Sequence, residues 1–587
     1  MQLGSLPGAP VATPLAVWRP QGTGAGDRWV IHAPAFAEEM NKSRHMVARQ
    51  ARRLAASGHT VVVPDLCGTG DSPDSIEVAT WQGWVDELCA VVDWARDQGA
   101  QSITLWGLRL GCLLALESAS RLNERAAPPE HLLLWQPLLA GKLQMAQFLR
   151  LVTAAAVTRG GDGQTVASVK TALAAGTTVE VAGYPLGSAL YSGIQGADAA
   201  TLTLRENTSV TVLEVAGQVD KPLLPVTGKH LAGWQEAGIA CTAHTVVGDA
   251  FWATQELGFS DALLDASDKA FGTSGTEGPA TQSAEERPAA SLVIVGEGRG
   301  VAVPVLFPCQ DSQLAGRLHV PEGPASKTIG VVVVVGGPQY RVGSHRQFVS
   351  LAESLVKAGY PVLRFDYRGM GDSDGELAGF TAIHDDIAAA IDALQTTLPA
   401  VERVALWGLC DAATATVVYA GNDPRVVGLV LANPWVYSEQ GAASVRIKHY
   451  YLQRILSAAF WHKLFSGGVR PLESLAGLCR SACRALGRSQ NSVSRSGPPS
   501  GRIDDAKLVD EVAAGLTAFS GQVLLLISSD DYTASEFEQA ARNEPLRGAV
   551  QKSTVKRVAL DGADHTFSKS EDNNRAIVET RDFLSGL

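Results

Sequence analysis

One strand–turn–helix signature occurs twice in this chain in a single register, and that repeat leaves few folds open. The apolar run Val404-Ala405-Leu406-Trp407 leads into Gly408-Leu409-Cys410-Asp411-Ala412, followed by small residues as far as Ala420. Earlier, Ile103-Thr104-Leu105-Trp106 leads into Gly107-Leu108-Arg109-Leu110-Gly111. Gly107 and Gly408 are 301 residues apart, and the same offset pairs Gly58 with Gly359 and Asp65 with Asp366. It also pairs Gly68, Gly70, Asp71 and Ser72 with Gly369, Gly371, Asp372 and Ser373. A period this long is too large for a solenoid unit and marks a duplicated domain.

Within each half, apolar strand patterns alternate with helical ones, which predicts a doubly wound, mostly parallel sheet. In the first half the expected strands lie at 28–31, 60–63, 103–106, 131–135, 210–215 and 241–247. In the second they lie at 330–335, 361–365, 404–407, 426–431, 522–527 and 555–560. Between the halves, 272–290 is rich in Gly, Ser, Thr, Glu and Pro, a linker composition. The expected division is a domain at 1–268, a flexible linker at 269–298 and a second domain at 299–587. The second sheet is interrupted after Pro434, where a helical cap is expected at about 434–515.

A strand, a sharp G-x-nucleophile-x-small turn and a helix form the nucleophile elbow of an α/β-hydrolase, here with Cys410 in the Ser place and Ala412 in that of the second Gly. The chain order of that fold is nucleophile, acid, His. Cys410 is the candidate nucleophile; the helix N-terminus favours its thiolate, and the neighbouring Asp411 opposes it. Asp530 and Asp531 both follow the strand at 523–527. Asp531 is favoured as the acid because Asp220 follows Val212 by the same eight residues that separate Asp531 from Val523. His565, after the last strand, is the expected base. The oxyanion donors should be the amide of Asp411 and one amide of the loop after Val335. Pro338 has no N–H, which leaves Gly337 or Gln339, and Gln339 is favoured.

The first half lacks this chemistry. Arg109 stands where a nucleophile would, and Val247-Gly248-Asp249-Ala250 ends the last strand without a His. His32 lies on the expected oxyanion loop instead. Arg109 and His32 are expected to bind an anion at the helix N-terminus. The alternative is an Arg109 paired internally, for example with Asp220.

Hydrophobic residues make up 46% of the chain and charged residues 19%, ordinary for a globular protein. The net charge of −11 argues against nucleic-acid binding. No apolar run approaches the ~20 residues of a membrane span, and residues 1–14 lack a signal-like core. A cytoplasmic protein without a transmembrane segment is therefore expected. The eight Cys form no C-x-x-C pair, so no metal is expected. No G-x-x-x-x-G-K-[ST] loop occurs, and no cofactor is implied. From Arg446 to Arg502 the cap holds ten Lys/Arg and one acidic residue, Glu473, amid aromatic and aliphatic residues. This basic lid could meet an anionic or membrane-proximal ligand.

The two halves resemble two families, the exosortase A system-associated hydrolases of bacterial exopolysaccharide and PEP-CTERM loci. The first half resembles the type 2 family through Phe36-Ala37-Glu38-Glu39-Met40-Asn41-Lys42-Ser43-Arg44, Gly107-Leu108-Arg109-Leu110-Gly111, Leu134-Trp135-Gln136-Pro137 and Gln147-Phe148-Leu149-Arg150. The second resembles type 1 through Gly336-Gly337-Pro338-Gln339-Tyr340-Arg341, Gly343-Ser344-His345-Arg346-Gln347-Phe348, the Arg364 to Ser373 stretch, Gly408-Leu409-Cys410-Asp411-Ala412 and Thr533-Ala534. The resemblance implies a fusion of two proteins with a bacterial cytosolic role near polysaccharide assembly. Together these readings give an expected acyl hydrolase of an ester, thioester or lactone, working through Cys410, His565 and Asp531 on a small-molecule acyl substrate. The alternatives are an acyltransferase on a carbohydrate or carrier, and a non-catalytic scaffold that binds an anion or partner.

Overall fold

The protein's structure, a computed structural model, describes residues 1–272, 301–436 and 505–587 apart from short stretches at 8–11, 21–26, 126–127, 160–164, 255–256, 323–326 and 378. Most of the expected linker and the basic part of the expected cap lie outside the described residues.

The first domain is built on an eight-stranded sheet. Its strands are β1 (Gln2–Ser5), β2 (Pro14–Trp18), β3 (Arg28–Ala33), β4 (Thr60–Pro64), β5 (Ser102–Leu108), β6 (His131–Trp135), β9 (Ser209–Ala216) and β10 (Cys241–Val247). Two further short strands, β7 (Val179–Val181) and β8 (Tyr184–Leu186), form a separate hairpin. The second sheet comprises β11 (Val301–Cys309), β12 (Ser312–Val320), β13 (Ile329–Val334), β14 (Val362–Phe365), β15 (Arg403–Leu409), β16 (Val426–Ala432), β17 (Gln522–Ser528) and β18 (Val555–Leu560). The strand orders are β1-β2-β4-β3-β5-β6-β9-β10 and β11-β12-β14-β13-β15-β16-β17-β18, which is one topology built twice. The chain is thus two tandem α/β domains, each with helices on both faces of a mostly parallel sheet.

Strand sequence explains strand position. In β13, Ile329-Gly330-Val331-Val332-Val333-Val334 is buried throughout, as a central parallel strand covered on both faces must be. The outermost strands β10 and β18 are partly exposed along their length. The parallel strands were legible from their apolar runs. The antiparallel strands β1, β2, β11 and β12 were not expected, because their pairing depends on β4 and β14, to which β2 and β12 bond. The sequence reading also assigned an insertion only to the second domain. Between β6 and β9 the first domain carries its own, made of helices Gly141–Arg159, Val166–Ala174 and Ser188–Gly196 with the β7–β8 hairpin.

The domains are joined by a buried ionic network. Arg44 of the first bonds Asp372 of the second through Nε at 2.6 Å and Nη2 at 2.9 Å, and its own Asp65 at 2.9 Å. Arg341 of the second reaches Asp71 of the first at 2.8 Å, together with Asp366 at 2.5 Å and Asp372 at 2.8 Å. Arg364 adds a second bond to Asp71 at 2.8 Å. Burial on its own raises a carboxyl's pKa, but Arg341 and Arg364 override it at Asp71, and Arg44 and Arg341 do so at Asp372, so both stay below their ordinary value. The Arg44 and Arg341 guanidiniums each lie 5.3 Å from the Tyr340 ring centroid. Tyr340, Val342 and Val349 also join the apolar core under the first sheet, so the contact is a continuous interior.

Candidate active site

The elbow in the second domain is a single residue wide. β15 ends at Leu409, the helix Asp411–Ala420 begins one residue later, and Cys410 between them has φ 62° and ψ −125°. Side-chain-bearing residues avoid that region unless their surroundings fix them. Here the Cys410 amide donates to Ala432 O at 3.0 Å and its carbonyl accepts the Trp435 amide at 3.2 Å. Gly408 lets strand and helix approach: a Cβ there would lie 2.7 Å from the backbone of Ala412 and Ala413. The turn places Cys410 beside His565, near enough for each to influence the other's ionisation.

His565 Nδ1 lies 2.8 Å from Asp531 Oδ2, which leaves Nε2 for the sulfur. Asp531 is buried and caps the helix Tyr532–Ala540, accepting the amides of Thr533 at 3.2 Å and Ala534 at 2.9 Å. The cap locks its rotamer with one oxygen toward His565. Asp530, the alternative acid, is exposed, and its amide is tied to Ala563 O at 3.0 Å.

Sequence reasoning missed the residue that holds the His565 loop. Asn433 Nδ2 donates to His565 O at 2.9 Å and to Ser528 Oγ at 3.0 Å, while Asn433 Oδ1 accepts the Ser528 amide at 2.8 Å. A signal existed in the repeat: an amide side chain followed by Pro ends the same strand in both halves. In the first domain Gln136 Oε1 accepts the Val215 amide at 2.7 Å.

Two opposing forces set the protonation of the pair. Burial disfavours a charged His565, but the hydrogen bond to Asp531 and the neighbouring Cys410 outweigh it and raise the imidazole to about 10. Burial pushes the Cys410 thiol above its ordinary value; the neighbouring His565 works against this and the Asp411 charge adds to it. Both groups therefore hold their protons at neutral pH, and the reactive form grows as pH rises.

The oxyanion loop shows which amides are spent. The Asp411 carboxylate accepts the Gly337 amide, at 3.0 Å and 3.2 Å to its two oxygens, and the Ala412 amide at 2.9 Å. The Gln339 amide has no acceptor among the described residues. The Gln339 side chain donates from Nε2 to Glu38 Oε2 of the first domain at 3.0 Å.

In the first domain Arg109 has the same turn geometry, φ 56° and ψ −117°. Its Nε donates to Glu39 Oε1 at 3.0 Å and its Nη2 to Gln147 Oε1 at 3.2 Å, and the guanidinium lies 5.5 Å from the Trp252 ring centroid. Asp220, the example of an internal partner, is an exposed turn residue with φ 59°. His32 is buried beside Trp106, and burial followed by the Arg44 charge lowers it to about 3, so it is uncharged. The anion site expected at Arg109 and His32 thus has its one cation already neutralised by Glu39. Sequence could not reveal this, because Glu39 reaches Arg109 from another helix.

Among the described residues no group of His, Cys, Asp and Glu could hold a metal ion, and no helix is long and apolar enough to cross a membrane. Residues 326–566 match the family model described as serine aminopeptidase, S33. A comparison with curated proteins gives no match. Among solved structures, a Pyrococcus furiosus esterase is similar at 16% identity, covering 50% of this chain and 94% of its own, with a TM-score of 0.34. A Mycobacterium smegmatis proline iminopeptidase is similar at 15% identity over 48% of this chain and 98% of its own, with a TM-score of 0.32. The Butyrivibrio proteoclasticus protein Est1E with bound ferulic acid is similar at 15% identity over 48% of this chain and 98% of its own, with a TM-score of 0.30.

Proposed function

We propose that the second domain, an α/β-hydrolase domain, is a thiol-dependent acyl hydrolase acting on an ester, thioester or lactone. The reading rests above all on Cys410 at the strand-to-helix turn beside His565, which is itself bonded to Asp531 through Nδ1 at 2.8 Å. His565 Nε2 takes the thiol proton as the sulfur attacks the acyl carbon, and Asp531 holds the imidazole in the tautomer this requires. The carbonyl oxygen becomes an oxyanion held by the amides of Asp411 and Gln339. The tetrahedral intermediate collapses to a thioester on Cys410, and the leaving oxygen or sulfur takes the proton from His565. Water, deprotonated by His565, then releases the acid and restores the thiol.

An acyltransferase would use the same thioester with a sugar or carrier hydroxyl in place of water. The likeness to exosortase-associated hydrolases supports an acyl group carried in exopolysaccharide assembly, with the basic stretch 446–502 meeting an anionic substrate or surface. Under this reading the protein works in the cytoplasm, and the first domain, without nucleophile or base, turns over no substrate.

The test is hydrolysis of a panel of p-nitrophenyl esters and acyl thioesters by the full chain, with intact-mass detection of the acyl adduct. The expected result is turnover and an adduct at Cys410, both lost in Cys410→Ala. Turnover that persists in Cys410→Ala, or no turnover on the panel, would remove the proposal.

A further inference from the structure

Glu38 and Gln339 occupy equivalent places in the two repeats, 301 residues apart, and they bond to each other at 3.0 Å. Equivalent residues that touch lie beside the axis relating the two halves. The loops after β3 and β13 therefore face one another across the domain boundary.

Glu38 does more than hold Gln339. Its Oε1 accepts the amide of His345 in the second domain at 2.6 Å, and is shared with the Tyr184 hydroxyl at 2.7 Å and Asn41 Nδ2 at 3.3 Å. His345 Nε2 in turn lies 2.9 Å from the carbonyl of Thr566, the residue after His565. A carbonyl only accepts, so Nε2 carries the proton and donates it. One carboxylate of the first domain thus reaches the oxyanion loop through Gln339 and the base loop through His345.

The segment carrying His345 is held in place by the first domain. His345 and Arg346 both have left-handed backbones, φ 41° and φ 62°, which side-chain-bearing residues adopt only when surroundings over-determine them. Arg346 donates to the carbonyls of Gly70 at 3.0 Å and Asp74 at 2.6 Å in the first domain. The tip of the β7–β8 hairpin rests on His345: a Cβ on Gly183 would lie 2.4 Å from its ring. Glu180 of the same hairpin accepts the amide of Ser570, beyond the base loop, at 3.0 Å.

We propose that the first domain completes the active site of the second, with Glu38 as a positioning residue that fixes the oxyanion loop through Gln339 and the His565 loop through His345. The kinetic arm of its test rests on the thiol-hydrolase reading; the thiol arm does not.

The experiment compares Glu38→Ala, Glu38→Gln and His345→Ala in the full chain. Gln339 Oε1 is buried without a partner, so the Gln339 amide can turn over and accept from the amide that Glu38→Gln introduces. Glu38→Ala and His345→Ala should each lower kcat by about tenfold with KM nearly unchanged, the loss expected when reacting groups shift by a fraction of an ångström. Both should also displace the pH profile of Cys410 alkylation by iodoacetamide, which reads the coupling of the thiol to His565. Glu38→Gln should restore both values to those of the parent. An alkylation profile unchanged in Glu38→Ala and His345→Ala, or a Glu38→Gln profile as displaced as that of Glu38→Ala, overturns the proposal. If no acyl substrate is turned over by the parent, the hydrolase reading fails, and the alkylation profile still decides the role of Glu38.

Discussion

The Asp411 carboxylate accepts the amide of Gly337 at 3.0 Å, tying the residue after Cys410 to the loop opposite it. One interaction thus does two opposed things: it fixes the loop that faces the sulfur, and it sets a negative charge beside the thiol. Burial raises the pKa of Asp411, and the Gly337 and Ala412 amides pull it back.

Replacing that charge should make the thiol more reactive. Asp411→Asn keeps an acceptor for Gly337 and removes the charge that disfavours a thiolate at Cys410. Iodoacetamide should alkylate Cys410 at pH 7 faster than in the parent, because more of the thiol is then thiolate. Slower or unchanged alkylation would show that the carboxylate does not govern the thiol.

The two adjacent aspartates should separate cleanly. Asp531→Asn keeps the helix cap but loses the anion beside His565, and should cost about a hundredfold or more in kcat. His565→Ala should cost at least as much, whereas Asp530→Asn, an exposed side chain, should stay within about twofold. Steady-state kinetics on the best ester of the panel decide it; equal losses in Asp530→Asn and Asp531→Asn would break the assignment of the acid.

The pH dependence follows from His565. Its raised value, about 10, means that the base is still protonated at neutral pH. Accordingly kcat/KM should climb through the alkaline range and not level off near 6.5, the ordinary imidazole value. The same shift adds stability that is full below 6.5 and fades as pH rises through about 10. A pH–rate profile flat above pH 7 contradicts this account.

The domain boundary should behave as a protein interior. Asp372→Ala takes a partner from both Arg44 and Arg341 inside a buried network, and removing one side of such a pair costs about 3–5 kcal/mol. Urea unfolding measures this directly. A loss under about 1 kcal/mol, the size of an exposed pair, would mean that the network is solvated in solution.

In the first domain, Arg109→Met leaves Glu39 buried without its cation. Burial already raises Glu39 above its ordinary 4.5 and Arg109 opposes the rise. A raised carboxyl favours the fold below its unfolded value and disfavours it as pH passes its folded value. The variant should therefore lose more stability at pH 8 than at pH 5, as thermal melts at the two values would show. Equal losses would mean that Glu39 finds another partner. Arg109→Ser should give no hydrolysis, because no His follows β10.

Much of the candidate site was legible because its parts are local. Cys410 was marked by a strand, a glycine and a small-residue helix, and Asp531 and His565 by places just after strands. Choosing Asp531 over Asp530 needed only the repeat, since Asp220 follows its strand at the same distance. Arg109 was seen to be unable to attack, and the alternative of an internal carboxylate partner, with Asp220 as the example, is met by Glu39 instead. The position after a strand says where a turn lies; it does not say which side chain from another helix reaches it. Asn433 escaped notice for the same reason, since its bonds run to Ser528 and His565 on other loops.

By itself the sequence determined the duplication, the parallel strands and the chain order of the candidate residues Cys410, Asp531 and His565, because apolar periodicity and turn chemistry act over a few residues. Only the tertiary structure decided how the halves meet. The Arg44–Asp372 pair spans 328 residues and the Glu38–Gln339 contact 301. Nothing in either local pattern marks these residues as partners. They become so once the two domains meet and bury Asp71 and Asp372, whose charges are then offset by Arg341 and Arg364 at Asp71 and by Arg44 and Arg341 at Asp372.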